Sequence, residues 1–422
     1  MVKPTTHTKL EQFGKRTIRM KPDRWLLILF VLLLPGRLFG LGIRIADQDP
    51  FATARGNAFA ATADNPAAIY YNPAGITQLE GQNASYSLYA IYLNSHYTSP
   101  SGSQLDTRDE IQAVPHLYYT YSLANLPLSF GLGVYTPYGL GLEWPDNSGF
   151  RDFAIEGRLA YFTVNPVAAW KILPSLSIAA GPTINYSQVK LKQGLFPSPS
   201  TDHFVFKGDD TDVGYNIGIL WEPLPQHAFG ISYRSDTTLN FTGHAQDSSF
   251  VPRTEASARF HFPHNIVGGW SFRPTTNWNF EVNVDWTDWE SLDAVALNSP
   301  GGKLTTLRFN WRSSWFYEFG GTYYLGNGYR ASAGYIYSEN TVPDATFNPT
   351  VPDSDRHIFS VGIGKTYKRL RWDAAYQLAY GPARTVSGST SKTNPFTGAA
   401  ESADGRYEFI SHALTVSLGY SF

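Results

Sequence analysis

Apolar and polar residues alternate with a period of two along most of this chain, and that period belongs to β-strands. In Phe409–Phe422, Ile410, Leu414, Val416, Leu418, Tyr420 and Phe422 share one face, and Ser411, Ala413, Thr415, Ser417, Gly419 and Ser421 the other. Trp278, Phe280, Val282, Val284 and Trp286 alternate in the same way with Asn279, Glu281, Asn283 and Asp285. Trp372–Tyr380, Trp315–Tyr323, Tyr329–Tyr337 and Leu176–Tyr186 repeat the pattern. About fourteen such segments, with polar loops between them, predict an all-β chain with the even strand number of a closed bacterial barrel.

Alternation alone fits a soluble sandwich as well as a membrane barrel, because each has one apolar face. Two details favour the barrel. Aromatic residues sit near the ends of the apolar faces, as interfacial girdles would. The opposite faces carry Gly, Ser, Asn, Thr and acidic residues, which suit a polar lumen. Composition agrees: aromatics make up 15 % of the 422 residues, Gly numbers 37, and charged residues are only 16 %. Mean hydropathy is −0.25, which excludes a bundle of membrane helices. There is no Cys, hence no disulfide framework, thiolate metal site or Cys nucleophile.

The N-terminus reads differently. Trp25–Leu34 is an unbroken apolar run preceded by Lys15, Arg16, Arg19, Lys21 and Arg24 and followed by Pro35-Gly36 and Leu38-Phe39-Gly40. Ten residues make roughly 15 Å of helix, about half of what a membrane span needs. Residues 1–40 therefore read as a signal peptide, and a start at Met20 would give a leader of more ordinary length. Removing its eight basic and two acidic residues leaves 25 positive and 33 negative charges, a net of −8. Such a chain is no candidate for nucleic-acid binding.

Residues 41–81 lack alternation. Asp49–Glu80 is Ala-rich and punctuated by Asn65-Pro66 and Asn72-Pro73, with Ala58–Ala63 as a candidate short helix. A compact segment before a barrel (82–422) is most simply a plug in its lumen. Here the chain resembles the FadL family of outer-membrane transporters of long-chain fatty acids and hydrocarbons. The resemblance is carried by ARGNAFAATADNPAAIYYNPAG, with Arg55-Gly56 and Asn72-Pro73-Ala74, then by Thr136–Ile172, Asn279–Asp293, Pro343–Gly364 and the final Phe422. It implies a fourteen-stranded antiparallel transmembrane barrel with a small, partly helical hatch in the lumen. It also implies a lateral outlet at an inward kink of the third strand, facing the hatch Asn-Pro-Ala.

On this chain the third strand falls at Leu128–Tyr138. Gly131 and Gly133 are the candidate kink, with Pro137 just beyond; a Gly that fills a crowded wall is the structural alternative. The following loop, which in the family carries apolar helices of a first capture groove, holds Leu140, Leu142, Trp144, Phe150 and Phe153. These either contact ligand or pack together. Arg151 and Arg158 are candidates for a ligand carboxylate, or for Asp152, Glu156 or lipopolysaccharide phosphate.

Other chemistry is thin. There is no Gly-x-Ser-x-Gly elbow. His261 and His264 bracket Phe262-Pro263 at a strand end, and Asp353 and Asp355 lack the spacing of a calcium loop, with Arg356 or His357 as pairing partners. Ser411 and His412 fall on opposite faces of one strand. No cofactor, metal or catalytic residue is expected. The reading is passive uptake of a hydrophobic small molecule by a monomer in the outer membrane. Its expected partners are membrane lipid, lipopolysaccharide and the barrel-insertion machinery, which reads the terminal Phe. A general porin and an outer-membrane lipid-processing enzyme are the competing functions.

Overall fold

A computed structural model describes residues 43–195, 202–247, 252–393 and 400–422. The leader and Met20 lie outside the described residues. Fourteen antiparallel strands close into one barrel. In order they are β1 (Gln82–Thr98), β2 (Glu110–Ser122), β3 (Leu128–Tyr135, resuming as Gly139–Glu143), β4 (Glu156–Leu173), β5 (Leu176–Gly194), β6 (His203–Leu224) and β7 (His227–Arg234 and Thr237–Asp247). Then come β8 (Thr254–Phe262 and Asn265–Thr275), β9 (Trp278–Thr287), β10 (Ser314–Gly326), β11 (Tyr329–Ser338), β12 (Arg356–Tyr367), β13 (Leu370–Val386) and β14 (Gly405–Ser421). Each pairs with its sequence neighbour, and β14 pairs with β1 from Asn83↔Ser421 to Thr98↔Arg406.

Burial decides between sandwich and membrane barrel. On β9 the apolar residues are the exposed ones, with Trp278 at 41 % and Phe280 at 43 %, whereas Asn279, Glu281, Asn283 and Asp285 are buried. Such an inside-out arrangement is stable only where lipid replaces water outside. Two-residue turns (Pro174–Ser175, Pro225–Gln226, Thr276–Asn277, Asn327–Gly328, Lys368–Arg369) cluster at one end, and the long loops lie at the other. The short-turn end is periplasmic by the rule for such barrels.

Residues 43–80 are almost entirely buried and touch lumen-facing residues around the wall. They contain α1 (Pro50–Ala54), α2 (Ala68–Tyr71) and a 3-10 turn, Pro73–Gln78. Asp49 caps α1 by accepting from Phe51 N and Ala52 N. Asn72 caps the 3-10 turn by accepting from Ala74 N. Both caps precede a Pro, whose missing N–H costs nothing at a first helical position. Ala58–Ala63, a candidate helix by composition, is irregular turn instead; two of its backbone donors, Ala61 N and Thr62 N, go to the wall, as described next. Phe51, Phe59, Ile69, Tyr70 and Tyr71 form the apolar centre of this plug, each burial contributing roughly 1.5–3 kcal/mol.

Candidate functional site

One wall carboxylate gathers several donors of the hatch. Glu281 on β9 accepts from Ala61 N (2.8 Å), Thr62 N (2.9 Å) and Thr62 Oγ1, and it faces Arg55 at 3.4 Å. Arg55 is fully buried and also donates to Asn279 Oδ1. A buried carboxylate needs this many donors to stay in place. Gly56 has φ +59° and sits so close to β11 that a Cβ would meet Tyr335 N at 2.8 Å. The same closeness recurs around the barrel: a Cβ on Gly334 would lie 2.0 Å from Gly56 N, and one on Gly230 2.0 Å from Ala60 O. At these points of closest approach the lumen wall is glycine.

Asn72 donates from Nδ2 to Ala60 O (2.7 Å) and to Ile219 O of β6 (2.9 Å). Pro73 lies against Gly218 of β6. Ala74 is fully buried with them. The hydrogen bond of the Asn-Pro-Ala turn to the wall thus goes to β6, whereas the family resemblance placed the turn against β3. Gly131 and Gly133 do not form a kink either. They lie in a stretch of β3 paired on both sides, from Leu117↔Val134 to Ser122↔Ser129 and from Leu128↔Trp170 to Tyr135↔Thr163. Their missing side chains make room for Ile69 of α2, which a Cβ on either would approach within 3 Å.

The break in β3 falls downstream, at Thr136–Tyr138, and Pro137 is inside it. Past Val134 the ladder to β2 ends, while β4 stays paired to Gly139–Glu143. The turned-in segment finds other partners in the hatch. Ile45 N donates to Pro137 O, Gly139 N donates to Ile43 O (both 2.8 Å), and Gln48 Nε2 donates to Thr136 O (2.8 Å). A few hatch residues therefore act as a strand added to β3 inside the lumen. Among the described residues, the resulting gap is crossed by one backbone bond, Arg108 N to Glu143 O (2.9 Å), and by side-chain contacts such as Gln112 Nε2 to Gly141 O (2.7 Å), Arg108 to Glu143 (3.3 Å) and Arg158 to Glu110 (3.1 Å). Pro115 of β2, in this unpaired stretch, has no N–H to leave unsatisfied. Ile111, four residues along the same strand, is 73 % exposed.

Between the hatch and the wall strands β7 to β10 lies a small polar cavity of about 20 Å³, lined by Arg44, Tyr70, Arg234, Asn283, Asp285 and Glu318 among others. Arg234 donates to Tyr135 Oη (2.6 Å) and Tyr70 O (3.2 Å) and lies over both rings.

The loop after β3 is packed, not open. Trp144 and Phe150 lie against Tyr97 and Tyr407, with ring centroids 4.9–6.5 Å apart, and Trp144 Nε1 donates to Pro349 O (2.7 Å). Leu140 and Leu142 join this cluster, and Phe153 packs at its edge. The loop contains no helix, unlike the family expectation. Arg151 is buried and donates from Nε to Asp146 O (2.8 Å). Arg158 meets Glu110, Glu143 and Glu156, so its charge is already met by protein carboxylates. Asp353 pairs with Arg356 at 2.9 Å, and His357 bonds Tyr335 Oη instead.

Residues 39–422 match the family described as "Outer membrane protein transport protein (OMPP1/FadL/TodX)". The chain belongs to this family. It is an outer-membrane protein. Among relatives of this FadL/TodX-family barrel, the outer membrane protein NMB0088 of Neisseria meningitidis is 24 % identical, over 90 % of this chain and 94 % of its own length. A "Long-chain fatty acid transport protein" of Escherichia coli is 21 % identical over 72 % of this chain and 78 % of its own. A Pseudomonas aeruginosa FadL homologue superposes with a TM-score of 0.79 at 20 % identity, covering 90 % of this chain and all of the homologue. The Pseudomonas putida toluene transporter TodX gives 0.72 at 16 % identity, covering 91 % and 100 %.

Sequence reasoning missed one cross-strand pair with enzyme-like chemistry. Ser87 on β1 and His116 on β2 face each other in register, Oγ to Nδ1 at 3.2 Å. Ser87 Oγ donates to Gln48 O, and no acid orients the imidazole among the described residues. The pair lacks the third group that activates a nucleophile.

Proposed function

We propose that this family member takes up hydrophobic small molecules, long-chain fatty acids or hydrocarbons, and releases them sideways into the bilayer through the gap between β2 and β3. The relatives' fatty-acid and toluene transport supports the substrate class. The observation that carries the route is the end of the β2–β3 ladder at Leu117↔Val134, with β3 turned inward onto the hatch. Exit into lipid is also favoured energetically, by about 0.8 kcal/mol for each CH₂ buried. Release through a floor closed by the hatch would forgo that gain.

Because the chain has no Cys, a pair placed at Gln112 and Gly141 is unique and can be bridged by a short cleavable cross-linker. Bridging should abolish uptake of a labelled fatty acid or aromatic hydrocarbon into cells, and cleavage should restore it. Full uptake by the bridged barrel would refute the lateral route. A stable, large single-channel conductance in planar bilayers would favour the porin reading instead.

A further inference from the structure

We infer that the periplasmic rim formed by β11, β12 and β13 binds the phosphate head group of an anionic phospholipid in the inner leaflet of the outer membrane. The donors are Lys365, Lys368 and Arg369, set among Tyr329, Tyr367 and Trp372.

Position comes first. Lys365 continues the lipid-facing row of Phe359, Val361 and Ile363 on β12, all about half exposed. It stands where the apolar band ends at the short-turn side. Lys368 and Arg369 form the adjoining turn, and both are exposed. Head groups of the inner leaflet occupy this level.

Charge comes second. None of these three residues has a carboxylate within ion-pairing distance among the described residues. The nearest acid in sequence, Asp373, faces the lumen, where Arg330 and Arg371 hold it. The other four two-residue turns at this end contain no cation. Positive charge on the outward rim is therefore gathered at one hairpin.

The rings then hold the cations in place. Lys365 Nζ lies 4.0 Å from the Tyr329 ring centroid and donates to its hydroxyl at 2.9 Å. It lies 5.8 Å from the Tyr367 ring, and Trp372 is its cross-strand partner. Lys368 Nζ lies 5.4 Å from the Tyr367 ring. Cations stacked on rings at an interface keep their remaining N–H donors aimed at the head-group layer, and charge-assisted bonds to phosphate are the strong ones.

Turn chemistry supplies an independent sign. Lys368 has φ +55°, a left-handed conformation. The neighbouring hairpin gives its turn to Asn327 (φ +52°) and Gly328 (φ +79°), the residue types that tolerate such angles. At Lys368 the chain keeps a cation where local geometry favours Asn or Gly. A cation with no carboxylate partner among the described residues, at a backbone position that favours Asn or Gly, points to a partner outside the protein.

The test is native mass spectrometry of the purified full-length barrel titrated with phosphatidylglycerol or, separately, phosphatidylcholine. The wild type should retain phosphatidylglycerol selectively. The variant K365Q/K368N/R369Q should bind it about a hundredfold more weakly, roughly fivefold per cation. K368N suits the turn, so the single variants K368N and R369Q keep the test valid if the triple variant misfolds. Equal retention of the two lipids by the wild type would overturn the inference. So would undiminished phosphatidylglycerol binding in the variants. Displacement of the lipid by a polyglutamate peptide that binds more tightly would identify the rim as a dock for an acidic protein, and would also overturn it.

Discussion

Arg44 and Asp285, 241 residues apart in sequence, are joined by two hydrogen bonds of 2.9 and 2.6 Å. Arg44 also donates to Thr287 Oγ1 at 2.8 Å. Its neighbours Ile43 and Ile45 hold the turned-in part of β3. One side chain therefore props the break in β3 against the opposite side of the lumen. Arg44→Ala would leave Asp285 buried without its cation, a change that costs about 3–5 kcal/mol in comparable sites. The hatch N-terminus should come loose from β3, with more frequent channel openings in planar bilayers and faster protease cleavage near residue 44. Asp285→Asn keeps one acceptor, Oδ1, for Arg44 and should have the smaller effect. Unchanged conductance and cleavage in Arg44→Ala would show that the strut holds nothing.

Glu281→Ala removes the acceptor of two backbone N–H groups and a hydroxyl in the hatch, and it leaves Arg55 without its carboxylate. Each buried donor left unmet costs about 1–3 kcal/mol. The barrel itself should still fold, because the lost partners lie in the hatch. The expected signature is rapid hydrogen exchange at Ala61 and Thr62 with the strand amides still protected.

Glycines of the wall separate into two kinds, which substitution should distinguish. Gly334→Ala drives a methyl into hatch backbone 2.0 Å away. Overpacking of a fitted interior typically costs 1–3 kcal/mol, and rigid backbone on both sides puts this site at about the upper end. Gly268→Ala meets nothing within 4 Å and should stay within about 0.5 kcal/mol of wild type. The temperature at which the folded band disappears in semi-native electrophoresis measures both.

One extracellular loop should respond to acid. Burial works against the Asp404 carboxylate, but donors from Ser389 Oγ, Ser389 N and Gly388 N outweigh it and hold the carboxyl below its ordinary value of 3.8. A depressed carboxyl contributes stability that is complete above the unfolded value and is lost as pH falls through the folded one. Protease resistance around Gly388–Ser389 should therefore persist at neutral pH and weaken below about pH 3.8. Asp404→Asn should flatten that dependence.

Strands, girdles and a lumen plug were legible because each depends on local period and composition. Trp278–Trp286 shows its apolar face by alternation alone, and the polar partners Asn279 to Asp285 mark the lumen side. Of the three residues singled out for the break in β3, Pro137 lies inside it and Gly131 and Gly133 do not. Gly131 and Gly133 signal a close approach, and sequence cannot distinguish an approach by Ile69 from a bend in the strand. Two signs were present: Pro115 within β2, which marks a stretch that does without a neighbour, and the triplet Ile43-Arg44-Ile45, a short alternating strand with a cation at its centre. The apolar loop residues stand out in the sequence, but the partners they pack against, Tyr97 and Tyr407, come from strands distant in sequence. Arg158 read as a candidate for ligand until Glu110, on another strand, was seen beside it.

The seam between β1 and β14 sets an order of assembly. Ser421 bonds Asn83 across 338 residues of sequence, so the ring shuts only when its most distant parts meet. Before then the hatch has emerged and the sheet has two free edges. A segment buried on all sides, pressed backbone to backbone against the wall, cannot be threaded into a finished cylinder without prying it open. The plug is more simply laid on an open, curving sheet, which then wraps around it. Its side chains can serve as a former for the barrel as well as a stopper in it.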